Sequence, residues 1–182
     1  KTNNVSNVTL GDTCSISLYL YKIYKNIYEF SNAEKFQIFM AFLSDSSFGM
    51  SSRCHDTDRL LANELGFENN YDTLFKKYFI PTDISNNFEK ALQNGNKKYQ
   101  FEDVSFESSY IERLETDKLN DYRNLVKNQK NFLGIWFDYE NKKTYTFFNY
   151  TGNFIEKKYD FIASRATTIL NDILSYLKIK TD

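Results

Sequence analysis

The two cysteines are the side chains of this sequence that could most readily do chemistry. Cys14 lies in "GDTCSISLYL", just before a Tyr- and Ile-rich run, and Cys54 follows the loop sequence "SDSSFGMSSR". In an extracytoplasmic protein a single cysteine pair favours a disulfide bond. Closing a loop of about 40 residues would stabilise the fold by roughly 3–4 kcal/mol. Two unpaired structural thiols and one catalytic thiol are the alternatives.

The catalytic alternative depends on where Cys14 lies relative to the first predicted helix. At the first helical position, the helix macrodipole and the free N–H groups would lower the pKa of its thiol. His55 is the one histidine of the chain, and it could act as the general base. Asp56 or Asp58 could then orient the imidazole. This arrangement would make the protein a cysteine-dependent hydrolase.

Two segments resemble known cysteine hydrolases and also depart from them. A cysteine at a helix start that precedes a histidine resembles the small papain-like hydrolases, which implies that Cys14 is the nucleophile. In that family the histidine opens a strand, whereas His55 adjoins Cys54 before a predicted helix, and no glycine-rich oxyanion segment accompanies Cys14. "NFLGIWFDYENKKTYTFFNYTG" resembles the hairpin of Ulp-type proteases, but Asn131 replaces the expected histidine and no cysteine follows Cys54.

Other chemistries have less support. "CHDTD" places four possible metal ligands in five residues. A structural zinc site usually takes its ligands as pairs from separate turns, and no second pair exists, so we predict no metal and no cofactor. The chain has 23 basic and 24 acidic residues, which gives no electrostatic footprint for nucleic acid. No apolar run approaches the roughly 18–20 residues of a membrane span.

The first half of the sequence predicts helices. One helix is expected over residues 14–30, capped by Asp12 or Thr13. Its apolar stripe would contain Ile16, Tyr19, Leu20, Ile23, Ile27 and Phe30. A capping box from Ser31 to Glu34 predicts a second helix over 32–44, which completes a helical hairpin. Further helices are expected in "HDTDRLLANELG", "NYDTLFKKYFI" and "TDISNNFEKALQNG".

In the second half of the sequence, the spacing of apolar residues changes from a helical to a strand-like period. "KKYQFEDVSF" alternates as a strand does, and "SSYIERLETDKLNDYRNLVKNQK" reads as an amphipathic helix. Three strand-like runs separated by turns then predict an antiparallel meander, followed by a C-terminal helix. We therefore predict an α+β fold with an N-terminal helical hairpin and further helices, then a small antiparallel β-meander packed with a C-terminal helix. Residues 1–13 would be a disordered segment or tether, and 14–182 a single domain with a possible subdomain seam near 96.

Tyrosines are the most distinctive candidates for a binding surface. Tyr139, Tyr145 and Tyr150 lie in the predicted meander, and tyrosine is favoured at protein interfaces. The chain begins at Lys1 without Met, and its first segment is polar. We read this as the tether that follows a cleaved signal or an upstream lipid anchor, with a trimmed cytosolic chain as the alternative. That interpretation favours an extracytoplasmic location in the periplasm, on the cell surface or outside the cell.

These observations lead to one functional expectation and two alternatives. The expectation is a non-enzymatic protein-binding protein, such as a periplasmic inhibitor, an immunity protein or a surface lipoprotein. The first alternative is the hydrolase that uses Cys14 and His55, and the second is a cytosolic adaptor or secreted effector. A protein partner is expected in the leading case, whereas nucleic acid is not.

Overall fold

The computed structural model describes residues 13–79, 90, 92–93, 95–113 and 117–178. The chain divides into two compact units, Lys1–Tyr71 and Asp72–Asp182. Helices fill the first unit and a mixed sheet with helices the second, which confirms the predicted α+β class. The single domain over 14–182 stays a prediction. The predicted tether and the predicted helix in "TDISNNFEKALQNG" lie almost entirely outside the described residues.

Short helices build the first unit, as the sequence predicts. The predicted capping box of the second helix is confirmed, because the Glu34 N–H donates to Ser31 Oγ and the Ser31 N–H donates to Glu34 Oε2. The helix in "HDTDRLLANELG" begins at Asp56 as expected. The helices are α1 (Ile16–Tyr24), α2 (Asn32–Asp45), α3 (Asp56–Asn63), a 3₁₀ turn (Glu68–Asn70) and α4 (Tyr71–Phe79), which starts at the last residue of this unit.

Helix α1 differs from its prediction in extent and in orientation. It spans nine residues rather than 14–30, and Ser15 is its N-cap, so Cys14 precedes the helix and is not its first residue. Leu18 and Tyr21 form its buried face, and α1 packs against α2 and α3. The predicted apolar stripe is instead mostly on the surface, with four exposed members: Ile16, Leu20, Ile23 and Ile27. Both faces of this helix are apolar, so hydrophobicity alone could not decide which one is buried.

A five-stranded sheet forms the centre of the second unit, with its described strands in sequential order. The pairs are antiparallel except β2–β3, which is parallel. Parallel neighbours need a crossover connection, and α5 (Leu119–Lys127) lies in the segment that supplies it. The strands are β1 (Lys97–Phe101), β2 (Val104–Arg113), β3 (Phe132–Asp138), β4 (Lys143–Tyr150) and β5 (Asn153–Tyr159).

The predicted amphipathic helix in "SSYIERLETDKLNDYRNLVKNQK" is wrong in its first part. Residues up to Arg113 extend β2, where Ile111 pairs with Trp136 of β3 and is buried. Helix α5 keeps only the later part, with Tyr122 and Val126 as its buried side chains. The predicted meander is confirmed as β3, β4 and β5, and the C-terminal helix as α6 (Leu170–Tyr176), preceded by a π-helical turn (Arg165–Ile169).

Helix α5 lies unusually close to the sheet at Gly134 of β3. A Cβ atom added to Gly134 would be 3.0 Å from the Tyr122 Oη and closer still to the Val126 Cγ2. Tyr122 and Val126 are fully buried, in a core that also contains Trp136. The absence of a side chain at residue 134 therefore lets the helix approach the sheet, and neither of its neighbours has free space into which it can move.

We expect Gly134→Ala to destabilise the second unit by about 1–3 kcal/mol, the usual cost of overpacking a close-packed core. Urea unfolding of the purified chain measures the change. Ser105→Ala at an exposed position of β2 is the control, with an expected change within about 0.5 kcal/mol. Val126→Ala should recover part of the loss when combined with Gly134→Ala. A Gly134→Ala variant as stable as the wild type would show that the close approach imposes no constraint.

A partly buried carboxyl group lies near the carboxyl end of β2. Glu112 accepts a hydrogen bond of 2.7 Å from the Tyr139 hydroxyl. Burial raises the pKa of Glu112, and the Tyr139 hydrogen bond only partly opposes this. Glu107, on the same strand, is exposed and has the opposite shift, because Lys98 and Asn96 bind its carboxylate and lower its pKa. The two glutamates therefore form a matched pair for testing the effect of burial.

Glu112→Gln should make the fold less sensitive to pH. When folding raises the pKa of a carboxyl group, the folded protein loses stability as the pH rises through that pKa. The stability of Glu112→Gln relative to the wild type should therefore grow as the pH rises above about 4, where a glutamate of ordinary pKa ionises. Urea unfolding at a series of pH values measures it. Glu107→Gln should show the reverse trend, and a Glu112→Gln curve parallel to that of the wild type would contradict this assignment.

Candidate thiol site

The two cysteines meet in the first unit. Their thiols are 3.1 Å apart and unbonded, and both residues are buried. Cys14 directly precedes the N-cap of α1, and Cys54 directly precedes the N-cap of α3, His55. Since α1 packs against α3, the residues just before the two helices come together. The pairing therefore follows from how these helices pack, although the cysteines are far apart along the chain.

Asp58 joins the two segments that carry the cysteines. Its Oδ2 accepts hydrogen bonds from the backbone N–H of His55 at 3.1 Å and of Cys14 at 3.4 Å. Its Oδ1 accepts a hydrogen bond of 2.9 Å from the Thr13 hydroxyl. The carboxylate thus satisfies an otherwise free N–H at the start of α3 and also binds the segment that leads into α1.

The environments of the two thiols are unequal. The pKa of Cys54 is lowered, because the Cys14 thiol donates a hydrogen bond to its sulfur and the Arg59 guanidinium lies nearby. The pKa of Cys14 is raised by that same hydrogen bond to Cys54, by burial, and by the negative charges of Cys54 and Asp58. Cys54 therefore forms the thiolate first, and Cys14 remains protonated as its hydrogen-bond donor.

Arg59 is held in place beside this pair. Its Nε and one terminal nitrogen donate to the Gly49 carbonyl at 3.0 and 2.8 Å. Its other terminal nitrogen is 2.7 Å from Asp56 Oδ1. The loop before Cys54 and the first turn of α3 thus fix the guanidinium in the position from which it lowers the pKa of Cys54.

The hydrogen bonds of Asp58 disfavour a metal at this site. The two cysteine sulfurs and an Asp58 oxygen lie within 4.8 Å of one another. Two thiolates bound to tetrahedral zinc at 2.3 Å would be about 3.8 Å apart, whereas a disulfide is about 2.05 Å long. The observed 3.1 Å between the thiols lies between these two spacings. Asp58 already accepts three hydrogen bonds, two from backbone N–H groups and one from Thr13.

The predicted catalytic residues are not assembled as a Cys14–His55–Asp56 triad. His55 is exposed, and its backbone N–H is bound to Asp58. Asp56 pairs with Arg59, so its carboxylate orients the guanidinium and not an imidazole. The raised pKa of Cys14 also opposes the nucleophilic role that the sequence suggested for it. The site consists instead of Cys14, Cys54 and Asp58, with Arg59 beside it.

The tyrosines proposed for binding have varied surroundings. Tyr139 is buried, and its hydroxyl is bound to Glu112. Tyr145 and Tyr150 are partly buried, and Tyr150 stacks on Phe148. Much of their surface is therefore used within the second unit. A binding role for them stays a prediction.

A groove opens next to the thiol site. It encloses about 690 Å³, and its lining includes Thr13, Lys22, Lys25, Thr57 and Asp58. Asp58 belongs both to the groove and to the thiol site, so the two adjoin. Sequence reasoning missed this surface. The available signal was the i, i+3 spacing of Lys22 and Lys25, which places both on one side of α1.

No known protein family and no curated protein matches this sequence. The fold does resemble the crystal structure of a putative family II inorganic pyrophosphatase from Methanococcus jannaschii. The TM-score is 0.62 over 80% of this chain, with 12% sequence identity. The matched part spans 59% of that protein's length. At this identity the likeness concerns the fold.

This likeness corrects the functional expectation drawn from the sequence. The prediction of a non-enzymatic binding protein, such as an inhibitor, an immunity protein or a surface lipoprotein, is wrong, because the solved structure that this fold resembles is described as a putative inorganic pyrophosphatase and does not support such a role. The sequence contains no contiguous catalytic motif, and that absence had suggested a binding role. The reactive groups come together only when the chain folds.

None of the described helices is long and apolar enough to cross a membrane.

We expect iodoacetamide to label Cys54 before Cys14 in the reduced, folded protein at pH 7, because the thiolate is the reactive form. Peptide mass spectrometry at several times measures both rates. Cys14→Ala removes the hydrogen-bond donor, raises the pKa of Cys54 and should slow its labelling. Cys14→Ser keeps a donor and should slow labelling less. Faster labelling of Cys14 than of Cys54 would contradict the assigned asymmetry.

Proposed function

We propose that this chain is a thiol-dependent enzyme that exchanges disulfides, with Cys54 as the attacking thiol and Cys14 as the resolving thiol. The observation that carries the proposal is the unbonded pair at 3.1 Å with opposite pKa shifts. Exchange needs one thiolate at working pH and a second thiol within reach of the mixed disulfide. An enzyme-type fold agrees with this role.

The reaction uses two electrons from the protein. The Cys54 thiolate attacks a small disulfide RSSR, forms Cys54–S–SR and releases RS⁻, which takes up a proton. The Cys14 thiol then loses its proton and attacks the Cys54 sulfur, which releases the second RSH. The products are a Cys14–Cys54 disulfide and two RSH molecules. A small thiol reverses the steps and restores the dithiol.

The disulfide predicted from the sequence is the oxidised state of the same pair. In an oxidising compartment the bond would be the resting form, and in a reducing one the dithiol would be. An extracytoplasmic location, an upstream lipid anchor and a protein partner stay proposals. If the substrate is a protein disulfide, the partner would be that substrate.

A second candidate function follows from the likeness to the Methanococcus jannaschii protein. It is hydrolysis of a phosphoanhydride such as inorganic pyrophosphate. Lys22 in the groove gives this candidate a cationic side chain for phosphate oxygens. The carboxylates that line this groove already have partners within the protein, since Asp58 caps α3 and Glu64 pairs with Lys25. The thiol pair is better organised for its reaction, so disulfide exchange is the first candidate.

The test compares three proteins with oxidised glutathione as the disulfide. The reduced wild type should release two equivalents of glutathione and lose the mass of two hydrogens. Cys14→Ser should stop at a mixed disulfide on Cys54 with one equivalent released. Cys54→Ser should react far more slowly than either. Intact-mass spectrometry and a glutathione assay measure these outcomes.

Two results would overturn the proposal. One is equal reactivity of Cys54→Ser and the wild type. The other is release of phosphate from inorganic pyrophosphate by the wild type and by Cys54→Ser at equal rates, which would favour the second candidate. Circular dichroism of each variant checks that the folded state is retained.

A further inference from the structure

We infer that the groove beside the thiols selects disulfides that carry a carboxylate, which it binds through Lys22. This inference rests on the proposed disulfide exchange and adds the class of substrate. The groove volume of about 690 Å³ lies within the range of small-molecule sites, roughly 300–1,000 Å³. Such a site can hold a short peptide disulfide.

The charge pattern of the groove supports an anionic ligand. Lys25 Nζ is 2.5 Å from Glu64 Oε2, so that cation is already neutralised. Lys22 is exposed, and the structure gives it no ion pair with another residue of the described part. It is therefore the cation of this groove that is available to a ligand, and a carboxylate is a natural partner.

The orientation of a bound ligand follows from the positions of Asp58 and Lys22 along α1. Asp58 binds Thr13 and Cys14 just before the helix, and its carboxylate lies within 4.8 Å of the cysteine sulfur atoms. Lys22 follows the N-cap Ser15 by seven residues, about 10 Å along the helix axis. A disulfide placed beside Asp58 would lie near the two thiols, of which Cys54 is 6% exposed and Cys14 3%. The carboxylate would then extend toward Lys22. Asp58 would repel a carboxylate placed at the thiol end, which enforces this direction.

The remainder of the lining is suited to a short organic ligand. Thr13 and Thr57 contribute hydroxyl groups, and Leu60 and Leu61 contribute apolar surface. Leu60 is 66% exposed, so apolar surface is available to a ligand. A few polar groups on a largely apolar wall are typical of small-molecule sites.

The inference is tested with three disulfides of different charge: oxidised glutathione, bis(2-hydroxyethyl) disulfide and cystamine. The variants are Lys22→Gln and Lys35→Gln, which remove the same charge from α1 and from α2. Lys22→Gln should lower the rate with oxidised glutathione, relative to the neutral disulfide, by about fivefold, as expected for one exposed ion contact. It should raise the relative rate with cationic cystamine. Lys35→Gln should leave both ratios unchanged.

A binding measurement keeps this inference separate from the proposed function. The Cys14→Ser/Cys54→Ser double variant cannot exchange disulfides, and calorimetry measures its dissociation constant for oxidised glutathione. Lys22→Gln in that background should weaken binding by a similar factor, and added salt should reduce the difference. Slow reaction with all three disulfides together with Lys22-dependent binding would reject only the exchange chemistry. Rate ratios and binding that do not depend on Lys22 would reject the groove inference.

Discussion

The organisation of the first unit depends on the Asp58 carboxylate. It accepts hydrogen bonds from Thr13, Cys14 and His55, and so joins the segment before α1 to the first turn of α3. The carboxylate is buried, and burial strengthens such bonds while making an unsatisfied charge costly. One side chain therefore fixes the positions of both cysteines and forms one end of the groove.

The two thiols are chemically different although this carboxylate lies near both of them. Its negative charge lies near both sulfurs, but Cys54 is also close to Arg59 and accepts the hydrogen bond from Cys14. Without Arg59, burial and Asp58 would oppose ionisation of either thiol. Gly49 and Asp56 hold the guanidinium in place. A loop carbonyl with no role in the chemistry thus contributes to deciding which cysteine reacts first.

Local signals in the sequence were sufficient to predict much of the fold. The Ser31–Glu34 capping box, the start of α3 and the meander of β3, β4 and β5 all follow from neighbouring residues. Predictions failed where contacts between residues that are far apart in the sequence decide the structure. Tyr110–Arg113 has a helical pattern, yet it forms a strand because β3 pairs with it. Helix α1 is apolar on both faces, and only its neighbours determine that Leu18 and Tyr21 are buried.

The candidate site could be predicted only in part for the same reason. The sequence identified Cys14, Cys54 and Asp58 as chemically interesting, and it paired the two cysteines. Within the catalytic alternative, it placed the nucleophile at Cys14, because that position was read as the start of a helix with a favourable dipole. The helix instead begins after Ser15, and the contacts with Cys54 and Asp58 reverse the expected pKa shift. Contacts of this kind depend on the packing of α1 against α3.

The parallel pairing of β2 with β3 has a consequence for how the second unit folds. In hairpin β1–β2 and in meander β3–β5, the paired strands are joined by connections of only two to four residues. The β2–β3 ladder alone unites them, and it forms across the segment that contains α5. Closing a longer loop makes such a contact slower than a hairpin. Until it closes, β3, whose residues are all buried in the finished sheet, presents an unpaired apolar edge. The concentration of the protein during refolding should therefore decide how much of it reaches the native state.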